Sequence, residues 1–193
     1  MFEYIKGKLT DLTPTQAVIE TSQIGFALNI SLTTYTAIEG KEEATLYIHE
    51  AVREDAFSLY GFATKEERAL FLLLISVSGV GAGSARMILS TYSVKELEMI
   101  ISTENVKQLK GVKGIGSKTA ERIIVDLKDK VQKVEDVTGT LPEANNNREE
   151  ALAALVVLGF NQSAAGKVVE AIIKEDPTIP LQKIIKEALN RLR

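Results

Sequence analysis

The sequence contains no cysteine, which excludes disulfide bridges and cysteine-ligated zinc or iron–sulfur sites and favours a reducing compartment. It also lacks a long apolar stretch, since the longest run, at 69–77, is interrupted by Ser76 and is far too short to cross a bilayer. The opening residues carry charges and precede no apolar segment, so a signal peptide is not expected. These absences predict a cytoplasmic protein without a membrane anchor.

The charge of the chain is unevenly distributed. Its net charge of −3 over 193 residues argues at first against DNA binding. Residues 1–63 carry 4 Lys/Arg and 9 Asp/Glu, and residues 134–193 carry 7 and 9, whereas residues 64–133 carry 12 and 8. The middle third alone is basic, so a local footprint for nucleic acid persists inside an acidic protein.

Residues 1–63 are predicted to form a small β-barrel. Short segments rich in β-branched and aromatic residues are separated there by turn-like stretches, and they lie at 4–9, 17–21, 26–31, 44–49 and 57–62. Five short strands in a segment of this length are typical of an OB-type barrel. The pattern alone leaves an SH3-like barrel open.

The rest of the chain is predicted to be helical, which makes the protein a multidomain α+β chain. In the all-α segment 64–132, Ser93 and Glu96 form a capping box, and Ser117 is the expected N-cap of a helix over 118–131. Residues 133–147 contain Gly, Pro and three Asn in a row and predict a flexible linker. Residues 148–193 predict a small three-helix domain, with helices over 148–158, 162–174 and 181–192.

The basic segment contains an internal repeat with an offset of 35 residues. The stretch 79–89 (GVGAGSARMIL) matches 114–124 (GIGSKTAERII), and each copy predicts a helix, a tight Gly-x-Gly turn and a second helix. Glycines allow positive φ and a close approach of another chain, and we expect the apolar residue between them to point inward. The unpaired amides at the start of the second helix then form an anion site suited to phosphate. Such a contact carries no base information.

Both copies of this turn therefore supply candidate DNA-binding residues. In the first copy they are Gly79, Val80, Gly81, Gly83, Ser84 and Arg86. In the second copy they are Lys110, Lys113, Gly114, Ile115, Gly116, Ser117, Lys118, Thr119 and Arg122, with the cations expected to neutralise further phosphates.

These turns have two other interpretations. A Gly that ends one helix before another begins explains a single copy equally well. Two copies in register, in the one basic third of the chain, favour phosphate binding. The stretch 111–119 also looks like a P-loop, but Ser117 stands where Lys must directly follow the last Gly, so ATP binding by this chain is rejected.

Several motifs together resemble one known family. They are YIKG at 4–7, VREDA at 52–56, LYGF at 59–62, the two hairpins, TAERII at 119–124 and ALVVLGF at 154–160. In this combination the chain resembles the RuvA family of bacterial Holliday junction branch-migration subunits over essentially its whole length. One departure is the first hairpin, where many members carry Lys just after Gly-x-Gly and this chain has none before Arg86.

The resemblance implies an OB barrel, a double helix-hairpin-helix domain and a mobile, UBA-like C-terminal domain. It implies a non-catalytic subunit that clasps an open four-way junction as a homotetramer, or as two tetramers face to face. The implied partners are a ring ATPase of the RuvB type and a resolvase of the RuvC type, with no cofactor and no metal. The motor contact is expected at Leu155, Leu158, Phe160 and Leu189.

Glu54 and Asp55 have more than one interpretation. As a pair of acids before a strand they are most simply solvated turn residues, and no third carboxylate or His lies nearby in a metal-binding pattern. The resemblance makes them acidic pins whose charge repels phosphates and keeps the crossover open. His49 is interpreted as an ordinary strand residue, and the barrel aromatics Tyr47, Phe57 and Tyr60 as packing rather than base-stacking groups.

Two functions from other classes remain as alternatives. A hairpin-containing base-excision glycosylase needs a catalytic Asp in a loop after the hairpin, whereas Asp126 and Asp129 fall inside a predicted helix. A protein-interaction scaffold would use the hairpins only as structural turns. DNA nicking or base release would indicate the glycosylase, and equal binding to junction and duplex would argue against the favoured function.

Overall fold

The computed structural model describes residues 2–54, 56–138 and 143–192, with side chains left undescribed at 132–138 and 143–146. The chain divides into two units, residues 1–135 and 136–193, and each is described by itself. Within these described residues, no helix combines the length and apolar character that crossing a membrane requires.

The first unit begins with a closed five-stranded barrel in the order β1-β2-β3-β5-β4, as expected for an OB-type barrel. The strands are β1 (Tyr4–Thr13), β2 (Gln16–Thr21), β3 (Ile24–Asn29), β4 (Glu43–Val52) and β5 (Phe57–Phe62). Neighbouring strands are antiparallel except for the parallel pair β3–β5, which closes the barrel. The predicted barrel is confirmed, and β1 and β4 are longer than predicted.

Alternation of apolar and polar residues explains the barrel core. On β4, Ala44, Leu46 and Ile48 are buried while the residues between them are more exposed, and Ile19 and Leu28 fill the centre from β2 and β3. The register of β1 against β2 shifts between Leu9 and Asp11, and this irregularity lets the strand continue to Thr13.

Helix α1 (Leu32–Ile38), between β3 and β4, was not predicted from the sequence. Its seven residues include three Thr and one Tyr, which are weak helix formers, so local propensity does not indicate a helix. The signal that was present is Ser31, whose Oγ accepts from the Thr34 amide 3.0 Å away and caps the helix.

The helical part of the first unit consists of α2 (Lys65–Ile75), α3 (Ala82–Thr91), α4 (Val94–Ser102), α5 (Val106–Lys110) and α6 (Ser117–Thr138). The predicted capping box at Ser93 and Glu96 is confirmed, with both reciprocal hydrogen bonds present. These helices share one apolar core, which includes Phe71 of α2 and is joined by Phe62 from the barrel.

The second unit contains α7 (Glu143–Val157), α8 (Gln162–Glu175) and α9 (Leu181–Arg191), as the predicted three-helix domain requires. Its core is small and includes Leu155, Val169 and Ile184. Helices α6 and α7 both extend into the predicted linker 133–147, α6 to Thr138 and α7 from Glu143. Residues 139–142 of that linker lie outside the described residues.

Candidate nucleic-acid interface

The sequence repeat is a structural repeat. We call α2, α3 and the turn between them the first hairpin, and α5, α6 and their turn the second hairpin. Positions 35 residues apart are buried alike: the core pairs are Leu74 and Leu109, Val77 and Val112, Val80 and Ile115, Ala85 and Ala120, Ile88 and Ile123, and Leu89 and Ile124. Each copy thus places the same face on the common core and the same face outward.

The two turns have the same backbone geometry. The first glycine of each has positive φ, +91° at Gly79 and +88° at Gly114, a region that residues with a Cβ rarely adopt. The next residue points inward as predicted, with Val80 and Ile115 5% and 6% exposed. The amide of each donates to the carbonyl three residues earlier at 3.0 Å.

The second glycine of each turn begins the following helix. The carbonyls of Gly81 and Gly116 accept from the amides of Ala85 and Ala120, both at 2.9 Å. The prediction of Ser117 as the N-cap is therefore wrong, because Ser117 is the first helical residue and Gly116 stands before it. Gly81 has ordinary extended geometry, with φ −86° and ψ 168°, so positive φ is confined to the first glycine.

Among the described residues, no crowding explains why these second glycines lack a side chain. A Cβ at Gly81 or Gly116 would meet no atom within 4 Å. Gly81 is itself the N-cap of α3 and has no side-chain oxygen to offer, so the N-cap position leaves the first-turn amides of the helix without a side-chain cap. A bare turn beside a positive helix end can accept a phosphate at close range.

The predicted cations are divided unequally between the hairpins. Lys110, Lys113 and Lys118 are exposed around the second turn. Arg122 is exposed as well, and its Nη1 donates to the Ser78 carbonyl of the first turn at 3.3 Å, which links the hairpins. Arg86 is half-buried, and its Nη1 donates to Thr15 O and Asn29 Oδ1 of the barrel, both at 3.2 Å.

The remaining predicted residues of the turns lie at the same helix starts. Gly83 is exposed in the first turn of α3, and Ser84 and Thr119 are half-buried at equivalent positions of α3 and α6. The structure therefore brings every predicted hairpin residue to its turn or the adjoining helix, and Arg86 also forms hydrogen bonds with the barrel.

The predicted acidic pair lies in the loop between β4 and β5. Glu54 is exposed there, and Asp55 lies outside the described residues. The strand ends on either side carry apolar side chains in solvent, with Val52 71% and Phe57 59% exposed. The sequence predicts packing for Phe57, in the core or at an interface, and its exposure within this single chain excludes the core.

His49 and the barrel aromatics pack where β4 and β5 meet α2. The His49 ring lies 5.4 Å from the Phe71 ring, and burial lowers its pKa. Tyr60 lies 5.3 Å from Phe71, and Tyr47 lies 5.7 Å from the charged group of Arg68. Among the described residues no three His, Asp or Glu side chains form a potential metal site.

The predicted motor-binding residues of the second unit differ in exposure. Leu155 is fully buried in the three-helix core, where it faces α8 and α9. It is therefore not available to a partner, although the motor contact was expected to include it. Leu158 is 57% exposed, and Phe160 and Leu189 are half-buried. The sequence reasoning missed Val156 and Val157, which are 41% and 87% exposed beside Leu158.

Three family models match the chain in succession. They are the RuvA N terminal domain at residues 1–61, the SAM-like Helix-hairpin-helix tandem at 71–129 and the RuvA, C-terminal domain at 146–193. Together they span the barrel, the two hairpin turns and the three-helix unit.

Known proteins are similar to this chain over its full length. Proteins named "Holliday junction branch migration complex subunit RuvA" are 56% identical in Bacteroides fragilis, 54% in Bacteroides thetaiotaomicron and 48% in Porphyromonas gingivalis. Each match covers 100% of this chain and 100% of the relative. On this identity and on the order of its three domains, the chain belongs to the RuvA family.

Proposed function

We propose that this chain is the non-catalytic DNA-binding subunit of a Holliday junction branch-migration complex. It recognises four-way junctions by their shape, holds them open and loads a ring ATPase of the RuvB type, which supplies the chemistry. The observation that carries this proposal is the pair of turns with matching glycine φ angles, whose second glycines have open space where a Cβ would lie among the described residues. A partner that approaches the backbone closely explains both glycines, and phosphate fits the charge.

We assign the phosphate contacts to the exposed turn residues and the cations beside them. The backbone contacts come from Gly79, Gly81, Gly83, Ser84, Gly114, Gly116, Ser117 and Thr119, with Val80 and Ile115 as buried anchors. The charge comes from Lys110, Lys113, Lys118 and Arg122. Because these groups contact the sugar–phosphate backbone, binding should depend on DNA shape and salt rather than on sequence.

Glu54, with Asp55, is proposed to act by repulsion. An exposed carboxylate facing phosphates raises the free energy of closely packed strands and so favours an open crossover. The exchange Glu54→Gln with Asp55→Asn should keep or tighten junction binding and reduce discrimination against linear duplex. A large loss of junction affinity would contradict the repulsive role.

The contact with the motor is proposed at the end of α7. Leu158 lies there beside the exposed Val156 and Val157, and Phe160 and Leu189 border the patch as half-buried residues. Leu155 supports this surface from the core. The fragment 1–140 should bind junctions without stimulating the motor, and 148–193 should bind the motor without DNA. Loss of junction binding by 1–140 would overturn this division.

The assembly and location are proposals of the same kind. A homotetramer would place four copies of the hairpin pair around one junction, and two tetramers face to face would place eight. A resolvase of the RuvC type would follow on the same DNA. We place the complex in the bacterial cytoplasm with the nucleoid, where its DNA substrate lies.

A binding series tests the main proposal. Affinity for a synthetic four-way junction and for linear duplex of matched sequence is measured between low and physiological salt. We expect tighter binding to the junction at every salt concentration and a linear fall of log affinity with log salt. Equal binding to both DNAs would contradict junction recognition. Nicking or base release would instead favour the glycosylase, although Asp126 and Asp129 lie within the continuous helix α6.

A further inference from the structure

Arg86 has a different environment from the other cations of the hairpins. Its Nη1 donates to two barrel acceptors, the Thr15 carbonyl and Asn29 Oδ1, each at 3.2 Å. Hydrogen bonds from a charged donor are stronger than those between neutral groups, and the bond to Asn29 is partly buried, which reduces its screening by salt. Arg86 therefore holds α3 against the barrel.

Both acceptors are themselves fixed. The Thr15 carbonyl also accepts from the Ile30 amide at 3.1 Å. Asn29 Nδ2 donates to the Leu59 carbonyl at 3.2 Å, which orients the amide so that its oxygen faces Arg86. The guanidinium thus binds a backbone carbonyl in the β1–β2 turn and a side-chain amide at the end of β3 that is held by its own hydrogen bond.

The same face of α3 makes two further contacts with the barrel helix α1. The Leu32 amide donates to Ser90 Oγ at 3.0 Å, and Thr33 Oγ1 donates to the Leu89 carbonyl at 2.6 Å. Arg86 and Ser90 are one helical turn apart, and Ser90 Oγ donates to the Arg86 carbonyl at 2.8 Å. These contacts together form a row along α3.

The second hairpin does not repeat this row. At the offset of 35 residues, Arg86 corresponds to Glu121 and Ser90 corresponds to Val125. Glu121 is exposed, and Val125 is 77% exposed. The attachment to the barrel therefore belongs to the first hairpin, and it cannot be explained as a requirement of the repeated fold.

We infer that Arg86 is a positioning residue that locks the first hairpin to the barrel and so sets its phosphate site relative to the β4–β5 loop that carries Glu54. This inference rests on the proposed function and departs from a direct phosphate contact by Arg86. A fixed relation between these parts matters for a branched substrate, whose strands must meet both together. It matters much less for linear duplex, which the second hairpin can hold with its lysines.

The test compares Arg86→Met, Arg86→Lys and the barrel variant Asn29→Leu, with the double variant Arg86→Met/Asn29→Leu. Full-length proteins are titrated with a four-way junction and with matched duplex across a salt series. We expect junction affinity to fall about tenfold in Arg86→Met and by less in Asn29→Leu, which leaves the bond to the Thr15 carbonyl. The double variant should bind no more weakly than Arg86→Met, because its contact at Asn29 is already lost. Duplex affinity should stay unchanged, and so should the salt slope, which is the slope of log affinity against log salt concentration.

Arg86→Lys separates positioning from charge. Lys keeps the charge but is shorter and lacks the planar donor pair, so a positioning role predicts a loss of junction affinity. A direct phosphate contact predicts retained binding in Arg86→Lys. It also predicts, in Arg86→Met, equal losses on both DNAs and a salt slope reduced by about one. That pattern, additive losses in the double variant, or unchanged junction affinity would overturn the inference.

Two controls complete the design. Lys118→Met should weaken binding to both the junction and the duplex and reduce the salt slope, which verifies that the assay detects a lost phosphate contact. Thermal unfolding of each variant establishes that it is folded, and Arg86→Lys decides the question if Arg86→Met is not. A wild-type chain without preference for the junction would refute the proposed function itself. A wild-type chain that prefers the junction, together with an Arg86 variant that binds like wild type, would refute only the positioning role of Arg86.

Discussion

The two hairpins share their backbone and differ in what surrounds it. Both turns have a glycine with positive φ, a buried aliphatic residue and a second glycine in open space. The second turn is surrounded by exposed lysines, whereas the stretch 76–91 of the first hairpin contains one charged residue, Arg86, which faces the barrel.

This difference indicates a division of roles between two copies of one motif. In the proposed function, the amides and helix ends would bind phosphate in both hairpins, since they come from the backbone. Charge is added at the second hairpin, and rigid attachment to the barrel is added at the first. A single mutation should therefore change affinity, salt dependence or junction preference according to the hairpin in which it lies.

The largest effect is expected when the open space in front of either turn is filled. In Gly81→Val and Gly116→Val, junction affinity should fall about ten- to a hundredfold, because hydrogen bonds to a charged group contribute about 1.5–3 kcal/mol. The fold should persist, since Gly81 is extended and its Cβ direction is free. Junction titration with far-UV circular dichroism measures both.

Gly79→Ala is the matched control for strain. Positive φ at Gly79 makes any side chain costly by about 1–2 kcal/mol, so this variant should lose stability. If Gly81→Val bound as tightly as wild type while Gly116→Val did not, the first hairpin would be a structural turn, and the proposed symmetry of phosphate binding would be wrong.

A charge exchange should produce the next largest effect. Lys118 and Gly83 are equivalent positions of the repeat and both are exposed. Gly83→Lys should raise the salt slope by about 0.9 per bound chain and tighten binding about threefold, and Lys118→Gly should do the reverse. The double variant should return towards wild type. A salt slope that does not respond to either exchange would show that neither position lies near a phosphate.

Sequence alone was sufficient for the repeat and its core. Burial of Val80 and Ile115 could be predicted, because each is the apolar residue between two glycines and packs onto the core when it points inward. The barrel followed from alternation in the same way. These features depend on local pattern, which is written in neighbouring residues.

The features that were not predicted are ones that local pattern does not determine. The hydrogen bonds of Arg86 to the barrel were not predicted, because nothing near Arg86 in sequence reveals Thr15 and Asn29, which are 71 and 57 residues away. Leu155 and Val157 are both apolar residues of α7, and only the packing of three helices decides that one is buried and the other exposed. Ser117 is a good N-cap type, but the glycine before it takes that position.

Attachment of the first hairpin to the barrel should also carry a pH signature. Glu67 of α2 is buried and accepts hydrogen bonds from Ser31, from Thr34 at 2.7 Å and from the Ala63 amide at 3.3 Å. Burial raises the pKa of Glu67 above 4.5 and outweighs the opposing effect of these hydrogen bonds. The native state thus holds the proton more tightly than the unfolded chain does.

This stabilising contribution is fully present below pH 4.5 and is lost as pH rises through the raised native pKa. Gln at this position does not titrate. The stability of Glu67→Gln relative to wild type should therefore increase as pH rises from 4.5 to neutrality, as denaturant unfolding at several pH values would measure. A difference that is constant with pH, or that decreases, would contradict a raised pKa.

The smallest effect is expected for Gly83→Ala, which separates the backbone of the first hairpin from its missing charge. Gly83 lies in the first turn of α3, where a Cβ would meet no atom within 4 Å. Alanine in place of a helical glycine should raise the free energy of unfolding by about 0.5–1 kcal/mol. Junction affinity should change less than twofold, since Lys118 carries a Cβ at the equivalent position of the second hairpin.

Lys118→Ala is the counterpart of this substitution, and it should weaken binding to all sequences and reduce the salt slope by about one. Both variants end with Ala at the same position of the repeat, so the two hairpins are then compared with identical side chains. Denaturant unfolding and junction titration are measured on both. If Gly83→Ala lost as much affinity as Lys118→Ala, a phosphate would approach the first hairpin more closely than the second, and the glycine itself would be the adaptation that replaces the missing lysine.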